Sequence, residues 1–294
     1  GEVAHHEVFA LGRHQADREV DLVAVEVEHP VAGQQFDPDL RVLRIEPRQV
    51  RHEQRFKQPY VSLIHDMAIT HRHVVLPFGG YTMSMDKLKD GKGIMRLRDA
   101  DGDGVAENSS GFGNFTGTGI KIKDGYLYAS SDDEVFRYKL GPDGPLNGEE
   151  KERVVTGLVN KGQHAAKAIT LDDAGNLYVN IGAPSNDCQE KDRAKGSPGL
   201  SPCPILETAG GIWQFKASGQ DQSYAQGTRY ATGLRNVVGL DWNTQVKDLY
   251  VMQHGRDMLF QFYPELFSQQ EGAVNPAEEF FRVKPGADCG WPYC

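Results

Sequence analysis

A strand–turn–strand template recurs three times along the sequence, and a recurring unit constrains a fold more than any single motif can. The first copy is Gly119-Ile120-Lys121-Ile122-Lys123-Asp124-Gly125-Tyr126-Leu127-Tyr128. The second is Ala168-Ile169-Thr170-Leu171-Asp172-Asp173-Ala174-Gly175-Asn176-Leu177-Tyr178. The third is Gly239-Leu240-Asp241-Trp242 and, after a turn, Asp248-Leu249-Tyr250. Each begins as an alternating strand, turns on Asp, Gly or Asn, and re-enters a strand at Leu-Tyr. Glycine and asparagine supply the positive φ that tight hairpins need. An apolar third strand is expected after each, over Val135–Tyr138, Ile212–Phe215 and Leu259–Phe262. One such unit cannot bury both of its faces, so several must pack around a channel. The expected fold class is therefore all-β, a β-propeller. A β-sandwich with irregular strand spacing is the alternative, and it gives no reason for the shared Leu-Tyr placement. Met67–Thr70 and His73–Leu76 read as a further hairpin within residues 65–85, the expected fourth blade.

The 294 residues suffice for one large or two modest domains. A net charge of -9 argues against a nucleic-acid partner, which would want a basic stripe. No apolar run approaches the roughly 20 residues needed to span a bilayer. No basic stretch followed by an apolar core opens the chain, so no signal peptide is visible; a first residue Gly1 rather than Met is compatible with a leader already removed. Four cysteines, Cys188, Cys203, Cys289 and Cys294, lack the paired spacing of a zinc site. They read either as two local disulfides, Cys188 with Cys203 and Cys289 with Cys294, or as ordinary thiols. The disulfide reading fits an oxidising compartment, periplasmic or secreted. Residues 1–55 hold five of the ten histidines and only three glycines, and carry no assignable chemistry. Val23, Val25 and Val27 alternate there, and a strand pair is expected around Pro30–Asp39.

Two segments enter first strands of the repeat. Asn160-Lys161-Gly162-Gln163-His164 leads into the second copy, where a histidine at a channel mouth can act as a base on a hydroxyl; packing is its alternative role. Leu234-Arg235-Asn236 leads into the third. Arg235 can bind carboxylates or an anionic quinone in a forked geometry, and Asn236 can donate and accept; an arginine pairing with a neighbouring blade is the alternative.

His164, then Leu234-Arg235-Asn236, then His254-Gly255-Arg256-Asp257, then Gly286-Ala287-Asp288-Cys289-Gly290-Trp291-Pro292-Tyr293 resemble the soluble glucose and sorbosone dehydrogenase family, nearest its sorbosone dehydrogenase-like branch, over about residues 93–294. Members are six-bladed propellers that bind pyrroloquinoline quinone (PQQ) and calcium at the channel mouth. The resemblance implies that His164 takes the hydroxyl proton as hydride moves to the quinone. It implies that Arg235 and Asn236 contact the cofactor, and that backbone carbonyls of Gly255 and Arg256 help hold calcium, an ion that prefers oxygen ligands. The family continues past the Gly-Trp-Pro motif with blades bearing further basic ligands, so an incomplete propeller is implied here. The partners implied are a small-molecule sugar and an electron acceptor; oligomeric state is open.

Residues 58–70, Gln58 to Thr70, resemble a piece of a carotenoid or lignostilbene cleavage oxygenase, a likeness reaching to about Asp90. That resemblance makes His65 one of four histidine ligands to iron(II), with the other three unplaced. Asp99, Asp101 and Asp103, with Gly104 at the sixth position, resemble the front of a calcium loop, but Ser110 stands where an EF-hand needs glutamate. A calcium-stabilised hairpin and a solvated acidic turn both fit. The expected organisation is thus an unassigned segment 1–55, an oxygenase-like fragment 56–92 and a partial propeller 93–294, with a fused reading frame implied where the two resemblances abut. Three functions follow: a PQQ-dependent dehydrogenase of sugars or related alcohols and aldehydes, a non-haem iron dioxygenase cleaving a stilbene or carotenoid double bond, or an inactive fusion or binding platform. Fold alone does not choose among them.

Overall fold

The computed structural model describes residues 113–141, 144–145, 150–276 and 278–293, and eight strands before residue 113. The chain forms two compact units, Gly1–Thr116 and Gly117–Cys294.

The first unit contains two four-stranded antiparallel meanders. One runs His6–His14 (β1), Asp21–Glu28 (β2), Asp39–Glu46 (β3) and Gln49–Lys57 (β4). The other runs Ala68–Ile69 (β5), His73–Pro77 (β6), Ile94–Arg98 (β7) and Asn108–Phe112 (β8). The pair expected around Pro30–Asp39 forms as β2 against β3, with Val27 opposite Leu40. The expected 67–76 hairpin forms as β5 against β6. β6 pairs in turn with β7, so one sheet joins strands from either side of residue 92.

In the second unit the three sequence repeats become three sheets. The first consists of Ile120–Lys123 (β9), Tyr126–Ser130 (β10), Val135–Gly141 (β11) and, beyond the two-residue Gly144–Pro145 (β12), Glu152–Thr156 (β13). The second consists of Ile169–Leu171 (β14), Asn176–Ile181 (β15), Gly211–Lys216 (β16) and, past Gln222–Ser223 (β17), Thr228–Thr232 (β18). The third consists of Val237–Asn243 (β19), Asp248–Gln253 (β20) and Glu279–Val283 (β21), followed by Ala287–Asp288 (β22). β17 pairs in parallel with β13, and β22 pairs in parallel with β18. Each later repeat thus lends a strand to the sheet before it, which ties neighbouring blades together.

The repeat template has a physical basis in the Leu-Tyr pair. Successive strand residues point to opposite faces, so leucine and tyrosine fill the two sides. Leu127, Tyr128, Leu177 and Tyr178 are all buried. The turn before Leu177 is held by Asp172, whose carboxylate accepts from the backbone N–H of Ala174 and of Asn176, both at 2.8 Å, and from the Tyr178 hydroxyl at 3.0 Å. Between the first and second sheets lies a core of Val135, Val155, Ile169, Leu177, Trp213 and Phe215, among others. Between the second and third lies another, with Tyr178, Ile212, Tyr230, Leu249 and Val251. The first strands lie side by side, β14 between β9 and β19. Asp241 of β19 accepts from Thr170 of β14 at 3.2 Å and pairs with Lys121 of β9 at 2.5 Å.

One expected strand is absent. Leu259–Phe262 forms a single helical turn (α1), and β21 takes the third place in its sheet. Leu259 and Phe262 are buried, whereas Phe260 is half-buried and Gln261 exposed. That i, i+3 spacing of the buried side chains is the helical period, not the alternation of a strand. A second short helix, Gln269–Val274 (α2), is capped reciprocally by Ser268 and Glu271.

Candidate functional site

In an antiparallel meander the chain enters the first strand and leaves the second at the same end. Residues 157–168 lead into β14 and residues 233–236 into β19; residues 182–210 follow β15 and residues 254–278 follow β20. All four segments therefore gather at one end of the second and third sheets. His164, Arg235, Asn236, Gly255 and Arg256 are among them.

His164 has φ +51°, in the left-handed region that non-glycine residues rarely occupy. Its approach depends on Gly182, at the end of β15. A Cβ on Gly182 would lie 2.7 Å from the His164 Cβ and 2.9 Å from Asn236 Oδ1. Only a residue without a side chain lets both groups close over this strand end. His164 Nδ1 is 2.5 Å from the carbonyl oxygen of Ala183. A carbonyl only accepts, so Nδ1 carries the proton and Nε2 presents its lone pair. Burial, reinforced by the positive charge of Arg235, lowers the His164 pKa to about 4 and outweighs the bond to Ala183. At neutral pH the ring is an uncharged base.

Arg235 is 2% exposed, the bulkiest of the fully buried side chains. Its Nη2 donates to Asn186 Oδ1 at 2.8 Å and to Asp257 Oδ2 at 2.6 Å, which uses both N–H bonds of that nitrogen. Its Nε is buried without a partner. The backbone of Arg235 is equally fixed: its N–H donates to Gln253 Oε1 and its carbonyl accepts from the N–H of Ala183. Asn236 Oδ1 accepts from Asn180 at 3.4 Å. Burial lowers the Arg235 pKa against the support of Asp257, without approaching neutrality of a guanidinium.

Around these groups the loop 184–202 builds a shell. Arg193, at φ +54°, donates to Asp257 Oδ2 at 2.6 Å and to Gln163 Oε1 at 2.9 Å. Gln163 donates to Asp192 Oδ2 at 2.6 Å. Burial raises the Asp257 pKa, but the bonds and charges of Arg193 and Arg235 outweigh it and leave the carboxyl below its usual range. Asp187, next to Asn186, has a buried Oδ1 with no hydrogen-bond partner, 3.8 Å from Arg256 Nε. Burial raises its pKa. On the Gly255 side, the Gly255 N–H and His254 Nδ1 converge on Glu278 Oε2, at 3.2 and 2.9 Å.

A family model described as TrAA12-like matches residues 85–294. This chain belongs to the TrAA12-like family. Its fold is similar to that of an AA12-family carbohydrate-active enzyme from Trichoderma reesei seen in an iodide structure: TM-score 0.57, 17% identity, 80% of this chain and 57% of that one. A calcium structure of the Trichoderma reesei AA12 protein gives 0.56 and 16%, over 79% of this chain and 57% of that one. The holo form of the PQQ domain of pyranose dehydrogenase from Coprinopsis cinerea gives 0.55 and 16%, over 80% and 56%. At these identities the likeness is one of fold. The TrAA12-like chain spans little more than half the length of these structures. No curated protein matches it in sequence.

The oxygenase-like reading of residues 56–90 gains no support: the TrAA12-like match begins at residue 85, inside that stretch. His65, Asp99, Asp101 and Asp103 lie outside the described residues. Among the described residues no group of three or more His, Cys, Asp and Glu side chains could hold a metal ion. Cys188 and Cys203 form the expected disulfide, closing the loop that carries Arg193. The second expected pair is not made: Cys289 is a free thiol, and Cys294 lies outside the described residues. Asn186, Arg193 and the role of Asp257 escaped the sequence reading. Only the position of Asn186, just past the end of a second strand, was a usable signal.

Proposed function

We propose that this chain provides the catalytic face of a PQQ-dependent dehydrogenase, one that oxidises a sugar or a related alcohol or aldehyde of the glucose or sorbosone type. The three blades of the unit Gly117–Cys294 would belong to a six-bladed propeller. One observation carries the reading: a neutral histidine with a free Nε2 stands beside a buried arginine whose Nε–H has no partner. A buried donor left unpaired costs on the order of 1–3 kcal/mol, and an anionic ligand at Arg235 would remove that cost. The residues therefore fit an anionic quinone.

In this reading His164 Nε2 takes the proton of the substrate hydroxyl, while Ala183 holds Nδ1 and so fixes the ring. Arg235 and Asn236 contact the cofactor, with Asn186 and Asp257 directing the guanidinium. Bound PQQ would supply the two-electron acceptor. The carbonyl oxygens of Gly255 and Arg256 are donors of the type calcium takes, and Asp187 Oδ1, paired with Arg256 at 3.8 Å but with no hydrogen-bond partner, adds a carboxylate oxygen to the same region. The Cys188–Cys203 disulfide supports an oxidising compartment, periplasmic or secreted. The partners proposed are a small sugar and a separate electron acceptor.

The test is a titration of the purified protein with PQQ in the presence of calcium, followed by absorbance, then dye reduction with a panel of aldoses and sorbosone. Stoichiometric uptake with turnover is expected. Absence of uptake contradicts the reading.

A further inference from the structure

Asp257 stands outside the groups that would touch a cofactor or substrate, yet it connects them. Its Oδ2 accepts from Arg235 Nη2 and from Arg193 Nη2, both at 2.6 Å. Its own place is set by Asn186, which accepts from the Asp257 N–H at 2.8 Å and donates to the Asp257 carbonyl at 2.9 Å. The same Asn186 Oδ1 accepts from Arg235 at 2.8 Å. Asp257 and Asn186 thus occupy both N–H bonds of Arg235 Nη2, which turns the guanidinium so that Nε–H remains unpaired. Beyond Arg235, the chain of bonds runs through Arg193 to Gln163, the residue before His164.

We infer that Asp257 is a positioning residue: its one carboxylate oxygen ties the buried Arg235 to Arg193 of the disulfide-closed loop, fixing the guanidinium that receives the cofactor and, through Gln163, bracing the segment that carries His164. About half of the Asp257 side chain is open to solvent, at 47% exposed, while Arg235 lies deeper, at 2%. The carboxylate therefore acts as a clamp applied from the rim. Carboxylates that orient a ligand-binding group from behind are a recurrent device, and their loss costs roughly 10- to 100-fold in affinity at metal sites. The inference rests on the proposed role of Arg235 in binding PQQ.

Two readouts test it. The first is PQQ affinity, with calcium, for the wild type, Asp257→Ala, Arg235→Ala and the double variant. Asp257→Ala is expected to weaken binding roughly 10- to 100-fold, with the double variant no weaker than Arg235→Ala alone, since Asp257 acts through that arginine. Asp257→Asn retains an acceptor and is expected to fall between wild type and Asp257→Ala. Additive losses, or unchanged affinity in Asp257→Ala, overturn the inference. The second readout needs no cofactor: the Arg235 Nε–H signal in a nitrogen-correlated NMR spectrum. It is expected to be protected from exchange in the wild type and to exchange rapidly in Asp257→Ala. An unaltered signal overturns the inference. Loss of protection in a protein whose wild type takes up no PQQ upholds the clamp and contradicts the proposed function instead.

Discussion

The second and third sheets are built from the same template, but only the second is enclosed. In β15 every residue from Leu177 to Ile181 is buried, on both faces. In β20 burial alternates toward the C-terminal end, and Met252 is 40% exposed. Opposite it in β21, Phe280 is 69% exposed, stacked on Tyr250 with ring centroids 5.6 Å apart. The inward face of the third sheet, with Leu249, Val251 and Val283, packs as tightly as its counterpart in the second. The difference teaches where the template's information lies. Leu-Tyr specifies a strand with two apolar faces, but the second face is stabilising only where another layer covers it.

Truncations should separate these faces. Leu177→Ala and Leu249→Ala each remove a fully buried side chain and are expected to cost about 2–5 kcal/mol in a denaturant titration. Phe280→Ala should stay within about 0.5 kcal/mol. A cost near that of Leu249→Ala would mean that another layer covers this face in solution. At the site end, Gly182→Ala should destabilise by about 1–3 kcal/mol, because the new Cβ meets the His164 carbonyl oxygen at 2.8 Å as well as Asn236. The same substitution should displace His164, seen as a shift of its ring signals by NMR.

Acidity sharpens the contrast between this end and the rest of the sheets. His164 has a folded pKa near 4, against about 6.5 unfolded. The unfolded chain therefore takes up the proton first, and the stabilising contribution of the neutral ring, complete above pH 6.5, is lost as pH falls through 6.5 toward 4. The separation between the stability curves of wild type and His164→Gln should be constant above pH 6.5, with wild type losing stability relative to the variant as pH falls from 6.5 to 4; curves parallel throughout would contradict the neutral, buried ring. A gain in place of a loss is expected at Lys167, fully buried, its ammonium bonded to the Ala165 carbonyl, and pushed by burial to a pKa of about 8. Replacing an ion so poorly solvated with an apolar side chain of similar length, Lys167→Met, should raise stability by about 1 kcal/mol near pH 7.

Much of this arrangement was legible in the residues. Strand–turn–strand repeats could be read because alternation and Asp-Gly or Gly-Asn turns are local signals. The site histidine, arginine and asparagine could be placed because each precedes a first strand, and the meander fixes which end that is. Leu259–Phe262 misled because three apolar residues in a run of four fit either period; Met258, at φ +59°, sets the chain into a helical turn. β21 was missed because Glu279, Phe280 and Arg282 give no clean apolar face. The clamp was illegible for a different reason. Asn186 and Arg193 lie on the loop after β15, Arg235 before β19 and Asp257 after β20, brought together by contacts 49 to 71 residues apart in sequence, and no local pattern encodes such a meeting.

The most direct measurement of the central claim uses His164→Ala, compared with wild type in both PQQ uptake and dye-linked sugar oxidation. Unimpaired or mildly weakened uptake, with turnover reduced by roughly 10²- to 10⁴-fold, is the expected result. Turnover equal to wild type would contradict His164 as the base.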